Sequence, residues 1–264
     1  MRRTSLRLAT LLLPALLAAV PLTSSAADAD TSAPLVLVAG ATGRTGKEVV
    51  KQLQAGNYRV RALVRDEAAA RAQLGEGIEY VKGDMRDAAT LRGVADGAKF
   101  VVSAVGSNSR KDSTNTPELV DYGGVKNLVE VAKGAGVKQF VLMSSMGVTQ
   151  PDHMLNRMLN NVLQWKLKGE DHLRASGVPY TIVRPGGLTE APGGAQSILA
   201  DQGDKPMDPK APPLMIPRAD VATVMVRALG NPAAVGKTLE VSGTAGTAPA
   251  DWNAFFAALK KDAP

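Results

Sequence analysis

The sequence predicts an α/β fold, a doubly wound parallel sheet in a single domain, on three observations. Short apolar runs alternate with segments of helical period from residue 35 onward, which places helices over both faces of a parallel sheet. Leu35 to Ala39 is apolar throughout, as a strand buried on both faces must be. Directly after it stands Gly40-Ala41-Thr42-Gly43-Arg44-Thr45-Gly46, a G-x-x-G-x-x-G triplet that runs into Val49, Val50 and Leu53 at helical spacing.

The elements then follow in order. Tyr58 to Val64 alternates and is rich in valine, which predicts the second strand, and the alanine-rich Asp66 to Leu74 reads as a helix. Ile78 to Val81 is a third strand closed by Gly83-Asp84. Residues 87–96 make a short helix ending near Gly97, and Phe100 to Val105 is a continuous apolar strand closed by Gly106. Leu119, Val120, Val125, Leu128, Val129 and Ala132 recur at helical spacing and predict a long helix over 117–134. Gln139 to Met143 is the fifth strand, 154–175 a helix, Tyr180 to Val183 the sixth strand and 219–229 a helix. Thr238 to Val241 is a last strand and 251–260 a terminal helix. The glycine- and proline-rich stretch 186–217 is too long for a simple connection, and at the carboxyl edge of such a sheet it is expected to cover a substrate.

Residues 1–27 read as a signal peptide, 28–34 as a short linker and 35–264 as the folded domain. Arg2, Arg3 and Arg7 precede an apolar run from Leu8 to Leu22 that Pro14 and Pro21 interrupt, and small residues follow through Ala27. That run falls short of the roughly twenty residues a membrane-spanning helix needs, so no stable span is expected after cleavage. The protein is therefore expected to be exported to the periplasm. Arg2-Arg3-Thr4-Ser5-Leu6-Arg7 partly fits a twin-arginine signal, although a large apolar residue is usual where Ser5 stands, and the general secretory route stays equally open.

Composition narrows the function classes. The chain has no cysteine, which excludes disulfides and a lipid-anchored N-terminal cysteine. The net charge of +6 includes three arginines of the signal, so it falls to +3 without them. The remaining basic residues are scattered among acids, and no nucleic-acid partner is expected. His153 and His172 have no metal-ligand spacing with other donors, so no metal site is expected, and Met143, Met146, Met154 and Met158 read as core and pocket lining.

The glycine triplet carries the chemistry. Gly40 turns the chain off its strand, Gly43 lets backbone approach a pyrophosphate, and Gly46 lets the helix pack closely on the sheet. Thr42, Arg44 and Thr45 fill the turn, and the helix N-terminus offers unpaired N–H groups to phosphate. In folds that bind NAD an acidic residue about twenty positions on holds the ribose hydroxyls, whereas an arginine accommodates the 2′-phosphate of NADP. Here Arg65 stands nineteen residues after Gly46, and Arg44 and Arg65 are expected to converge on that phosphate. NADP is favoured, with NAD left open by the neighbouring Asp66.

The chain resembles an atypical short-chain dehydrogenase/reductase of the NAD(P)H-binding, NmrA-like group over about 35–262. The resemblance rests on Val38 to Gly46, Leu63-Val64-Arg65-Asp66, Gly83-Asp84, Val141 to Ser145, Trp165-Lys166 with Glu170, Ser176 to Gly186, and Arg218 to Ala222. It implies that Asp84 and Met85 lie by the adenine, that Ser103, Ala104 and Val105 line the ribose, and that Pro185-Gly186 lies near the nicotinamide. Relatives that reduce carbonyls use a serine after the fifth strand and a tyrosine four residues before a lysine. Ser144 and Ser145 match the serine and Lys166 the ribose-binding lysine, but Val162 stands where the tyrosine is needed. Valine cannot transfer a proton, and Tyr122 is the one tyrosine placed to substitute. The reading is therefore an exported NADP(H)-binding oxidoreductase that passes hydride to a small carbonyl, quinone or flavin-like acceptor. Its rival is a redox sensor or docking protein that holds the dinucleotide without turnover, and a nucleotide-sugar epimerase is weaker because it too needs the tyrosine.

Overall fold

The computed structural model of the protein describes residues 33–109, 112–206 and 211–263. The expected signal peptide over 1–27 lies outside the described residues, as does most of the linker that follows it.

Ten strands form. They are β1 (Leu35–Ala39), β2 (Arg59–Val64), β3 (Glu79–Lys82), β4 (Phe100–Ser103), β5 (Gln139–Met143), β6 (Tyr180–Pro185), β7 (Gly187–Thr189), β8 (Ser197–Asp201), β9 (Met215–Pro217) and β10 (Lys237–Thr244). The helices are α1 (Arg44–Ala55), α2 (Glu67–Leu74), α3 (Val125–Gly134), α4 (Met154–Met158), α5 (Val162–Ala175), α6 (Arg218–Ala228) and α7 (Trp252–Ala257). Eight strands make one sheet in the order β3-β2-β1-β4-β5-β6-β10-β8, and the order reverses between β1 and β4. Every neighbouring pair is parallel except β10 with β8, where Glu240 opposes Asp201 and Thr244 opposes Ser197.

Alternate side chains of the central strands bury on opposite faces, so each strand reads as a continuous apolar run. Val36, Val38, Val102, Val141 and Val183 pack with Val49, Leu53, Val221 and Met225 of α1 and α6. Leu35, Leu37, Val101, Phe140, Leu142 and Ile182 pack with Leu128 and Val129 of α3 and Leu173 of α5.

Four expectations need correction. The helix expected over 154–175 is two helices, because Asn160 and Asn161 both take positive φ, 50° and 57°. Asparagine tolerates that conformation better than most side chains. Buried Asn156 fixes the break: its side chain accepts from the Leu163 N–H at 3.0 Å and donates to the Pro151 carbonyl at 3.0 Å. The helix expected over 117–134 opens with a wide π turn over Glu118–Gly124 before α3 begins. Residues 87–96 keep one short 3-10 turn, Ala88–Leu91, which Asp87 caps. The stretch 186–217 is no plain loop, since β7 and β9 pair within it and β8 extends the sheet, which lengthens the last strand to Lys237–Thr244.

Candidate functional site

The turn after β1 takes the shape its glycines allow. Gly40 has φ +78°, and a Cβ there would lie 2.8 Å from the Ala104 carbonyl oxygen. A Cβ on Gly46 would collide with the Gly40 carbonyl, so α1 packs on the turn only without a side chain there. Gly43 differs: a Cβ there would meet only the Gly40 oxygen, at 3.1 Å, and otherwise points into open space. Gly43 caps α1 with no side-chain bond and the first turn holds no acidic residue, which leaves the N-terminal N–H groups available to an anion.

That turn floors a cleft of about 240 Å³ lined by Gly40, Thr42, Gly43, Leu63, Val64, Arg65, Gly83, Asp84, Met85, Arg86, Ala104, Val105, Gly106, Asn115 and Val120. Gly40, Thr42, Gly43, Arg65, Asp84, Met85, Ala104 and Val105 were expected in one site from the sequence, and they meet here where the strand order reverses. Thr45 and Gly46 lie beneath the turn, with the Thr45 hydroxyl 3.3 Å from the Arg218 guanidinium. Ser103, at the end of β4, is buried with its hydroxyl unpaired among the described residues. Ser103 thus lies behind the cleft wall, whereas a turn that packs only with glycine at 40 and 46 and an open N-terminus of α1 suit a dinucleotide.

Arg44 does not converge with Arg65. Its guanidinium donates to Glu190 at 2.8 Å, and Arg218 donates to the same oxygen at 2.8 Å. The Arg218 hydrogen bond holds the Glu190 carboxyl below its ordinary range. Arg65 instead shares its end of the cleft with Arg86, which the sequence reading missed. Arg86 grips Asp84 with both Nε and Nη2, the latter at 2.6 Å, and this holds the Asp84 carboxyl low. A cation two residues past Gly83-Asp84 was the signal available. Asp66 turns away from the cleft, accepting from the Ala69 N–H at 3.0 Å as the cap of α2.

The residues expected to do chemistry stand at the ends of β5 and α5. Ser144 is buried with its hydroxyl unpaired among the described residues, its N–H donating to Val183 at 2.7 Å, whereas the Ser145 hydroxyl turns to the Met146 carbonyl at 3.0 Å. Pro185 ends β6 and accepts from the Met146 N–H at 3.0 Å. The Lys166 ammonium sits 2.7 Å from the carboxylate of Asp121, whose side chain is fully buried in the wide turn. Asp121 also accepts from the Ser107 N–H at 3.2 Å. Gly169 lets α5 approach this turn, since a Cβ there would lie 2.6 Å from the Asp121 carbonyl. An acidic residue on an apolar helix face was the overlooked signal for Asp121.

Val162 opens α5 one turn before Lys166 and is 9% exposed, packed with Val148 and Leu163. Tyr122 stacks on Trp165 with ring centroids 6.1 Å apart. Beside Val162 a second cavity of about 430 Å³ is lined by Ser107, Asn108, Ser109, Pro117, Met158, Leu159 and Asn160. Met158 and Leu159 are exposed at its mouth. No group of residues able to hold a metal ion occurs among the described residues, and there no helix is long and apolar enough to cross a membrane.

The profile of NAD(P)H-binding domains matches residues 40–232. An uncharacterized chloroplastic protein of Arabidopsis thaliana is 40% identical over 252 residues, which cover 86% of this chain and 76% of that one. Sanguinarine reductase of Eschscholzia californica is 35% identical over 268 residues, 86% of this chain and 97% of that enzyme. A solved Bacillus halodurans protein, provisionally named an NAD-dependent epimerase/dehydratase, matches with a TM-score of 0.70 at 25% identity, over 86% of this chain and 100% of that one. A match of this extent means that the chain belongs to the NAD(P)H-binding oxidoreductase family of NmrA-like, atypical short-chain dehydrogenase/reductase type.

Proposed function

We propose that the protein is an NADP(H)-dependent reductase that passes hydride to a quinone-like, flavin-like or small carbonyl acceptor without a tyrosine proton donor. The observation that carries this reading is Val162, which packs with Val148 and Leu163 at the place expected for the proton donor. The cofactor supplies the hydride. Gly43 and the N-terminus of α1 would hold its pyrophosphate, and Ala104, Val105 and Lys166 would lie toward its ribose, with Ser103 buried behind them. Arg65 and Arg86 favour a 2′-phosphate, and Asp66 caps α2 and is not among the residues that line the cleft. The cavity beside Val162 seats the acceptor, for its volume lies within the range of small-molecule sites and its Met158 thioether suits a flat aromatic ring. The reductase name of the Eschscholzia relative agrees with this direction of transfer. An acceptor whose reduced form is a stabilised anion takes its proton from water afterwards.

The signal-like residues 1–27 support export to the periplasm as part of the same proposal, and N-terminal sequencing of protein from the periplasmic fraction tests it.

The test of the chemistry is NADPH consumption over a panel of quinones, flavins, ketones and aldehydes. Quinone or flavin reduction without ketone reduction is expected, because general-acid help worth roughly a hundredfold is missing for ketones. Val162→Tyr should raise ketone reduction and leave quinone reduction unchanged. Robust ketone reduction by the unmutated protein would assign the proton to another group, with Tyr122 the first to substitute. Val162 also favours one second reading, a redox sensor. Tight NADPH binding with no turnover on any acceptor would decide for it.

A further inference from the structure

Asn115 lines the cleft together with Arg65 and Arg86, and its N–H donates to the Asp112 carbonyl at 2.9 Å. Asp112 points its carboxylate at both guanidinium groups, 3.7 Å from Arg65 and 3.4 Å from Arg86. Thr114 adds a second tie, its hydroxyl accepting from Arg86 at 2.8 Å. The hydroxyl and N–H of Thr114 in turn donate to Asp112, at 2.6 and 2.9 Å, and hold its carboxyl below the ordinary range. An anion is thus already lodged between the two cations that the proposed cofactor choice assigns to a 2′-phosphate.

We infer that Asp112 is an internal stand-in for the cofactor's 2′-phosphate, a carboxylate that occupies the two arginines and must be displaced before a 2′-phosphorylated nucleotide binds. The inference rests on the NADP(H) reading above. A phosphate brings more charge and three acceptor oxygens to the same pair of arginines, so it wins the exchange, whereas NAD(H) has nothing to offer there and leaves Asp112 seated. Asp112 therefore lowers the affinity for NADP(H) selectively, and Arg86 supplies the second half of the phosphate seat.

Calorimetry on the full chain tests this with NADPH, NADH, 2′,5′-ADP and 5′-AMP as probes. Asp112→Asn should tighten NADPH and 2′,5′-ADP by about fivefold, the size of one exposed ion pair that no longer competes, and leave NADH and 5′-AMP unchanged. Asp112→Glu should restore the weaker binding. Arg86→Ala should weaken the two 2′-phosphorylated probes by about tenfold or more, as the loss of one charge-assisted bond requires. Equal affinity of the unmutated protein for NADPH and NADH would overturn the cofactor reading itself. A protein that prefers NADPH but binds it no tighter, or more weakly, after Asp112→Asn would overturn the displacement alone.

Discussion

At the scale of single residues, two glycines of the turn do different jobs. Gly46 is needed by the fold, because a Cβ there has nowhere to go but the Gly40 carbonyl. Gly43 answers to the proposed ligand, because a Cβ there would meet only the Gly40 oxygen, at 3.1 Å, and would otherwise face open cleft. Gly46→Ala should therefore lower the melting temperature by several degrees, with overpacking costs of about 1–3 kcal/mol. Gly43→Val should unfold near the unmutated temperature and yet lose dinucleotide binding in calorimetry. Loss of stability in Gly43→Val as large as in Gly46→Ala would refute this division. Arg44 shows the limit of such reasoning from position alone. It lies in the turn by sequence, but its side chain is long, exposed and drawn to Glu190.

At the scale of elements, β6 is tied to the end of the chain. The Tyr180 hydroxyl donates to Asp262 at 2.9 Å, and Asp262 also accepts from the N–H and hydroxyl of Thr238 on β10. Burial, followed by the Asp262 hydrogen bond, pushes the Tyr180 phenol from 10.0 to about 12. The folded protein keeps this proton at a pH where the unfolded chain has released it. Its stabilising contribution is whole below pH 10 and is lost as pH rises from about 10 towards 12. Melting temperature measured across that window should fall less steeply for Tyr180→Phe than for the unmutated protein. The elements themselves were legible wherever an apolar period ran uninterrupted, as in Leu35–Ala39 and Gln139–Met143. They were illegible where one side chain overrides the period. Asn156 and two left-handed asparagines break a helix that its apolar spacing continues across. β7, β8 and β9 are three to five residues long amid glycine and proline, and only their neighbours make them strands.

For the molecule as a whole, a buried chain of charges links the sheet to α5. Arg184 donates to Glu170 at 2.6 Å and to Glu240 at 3.1 Å, and Arg174 reaches Glu170 at 2.7 Å. Burial pushes the Glu240 carboxyl up, against the pull of its arginine. Glu170→Gln leaves two guanidinium groups short of their shared partner and should cost about 3–5 kcal/mol in urea unfolding, without changing the ratio of NADPH to NADH affinity. A loss below about 1 kcal/mol would mean the network relaxes around water. The cleft half of the site was readable because glycine spacing and strand ends carry it. The Asp121–Lys166 pair and the pairing of Asp112 with Arg65 and Arg86 were not, since both join segments far apart in the chain. The sheet order has one consequence for synthesis. β8 has β10 as its neighbour in the sheet, yet residues 197–201 leave the ribosome well before 237–244. Until the last strand arrives, β6 is an uncapped edge and β8 a lone ribbon, so a chain stalled before residue 237 exposes open backbone to its neighbours and is prone to aggregate.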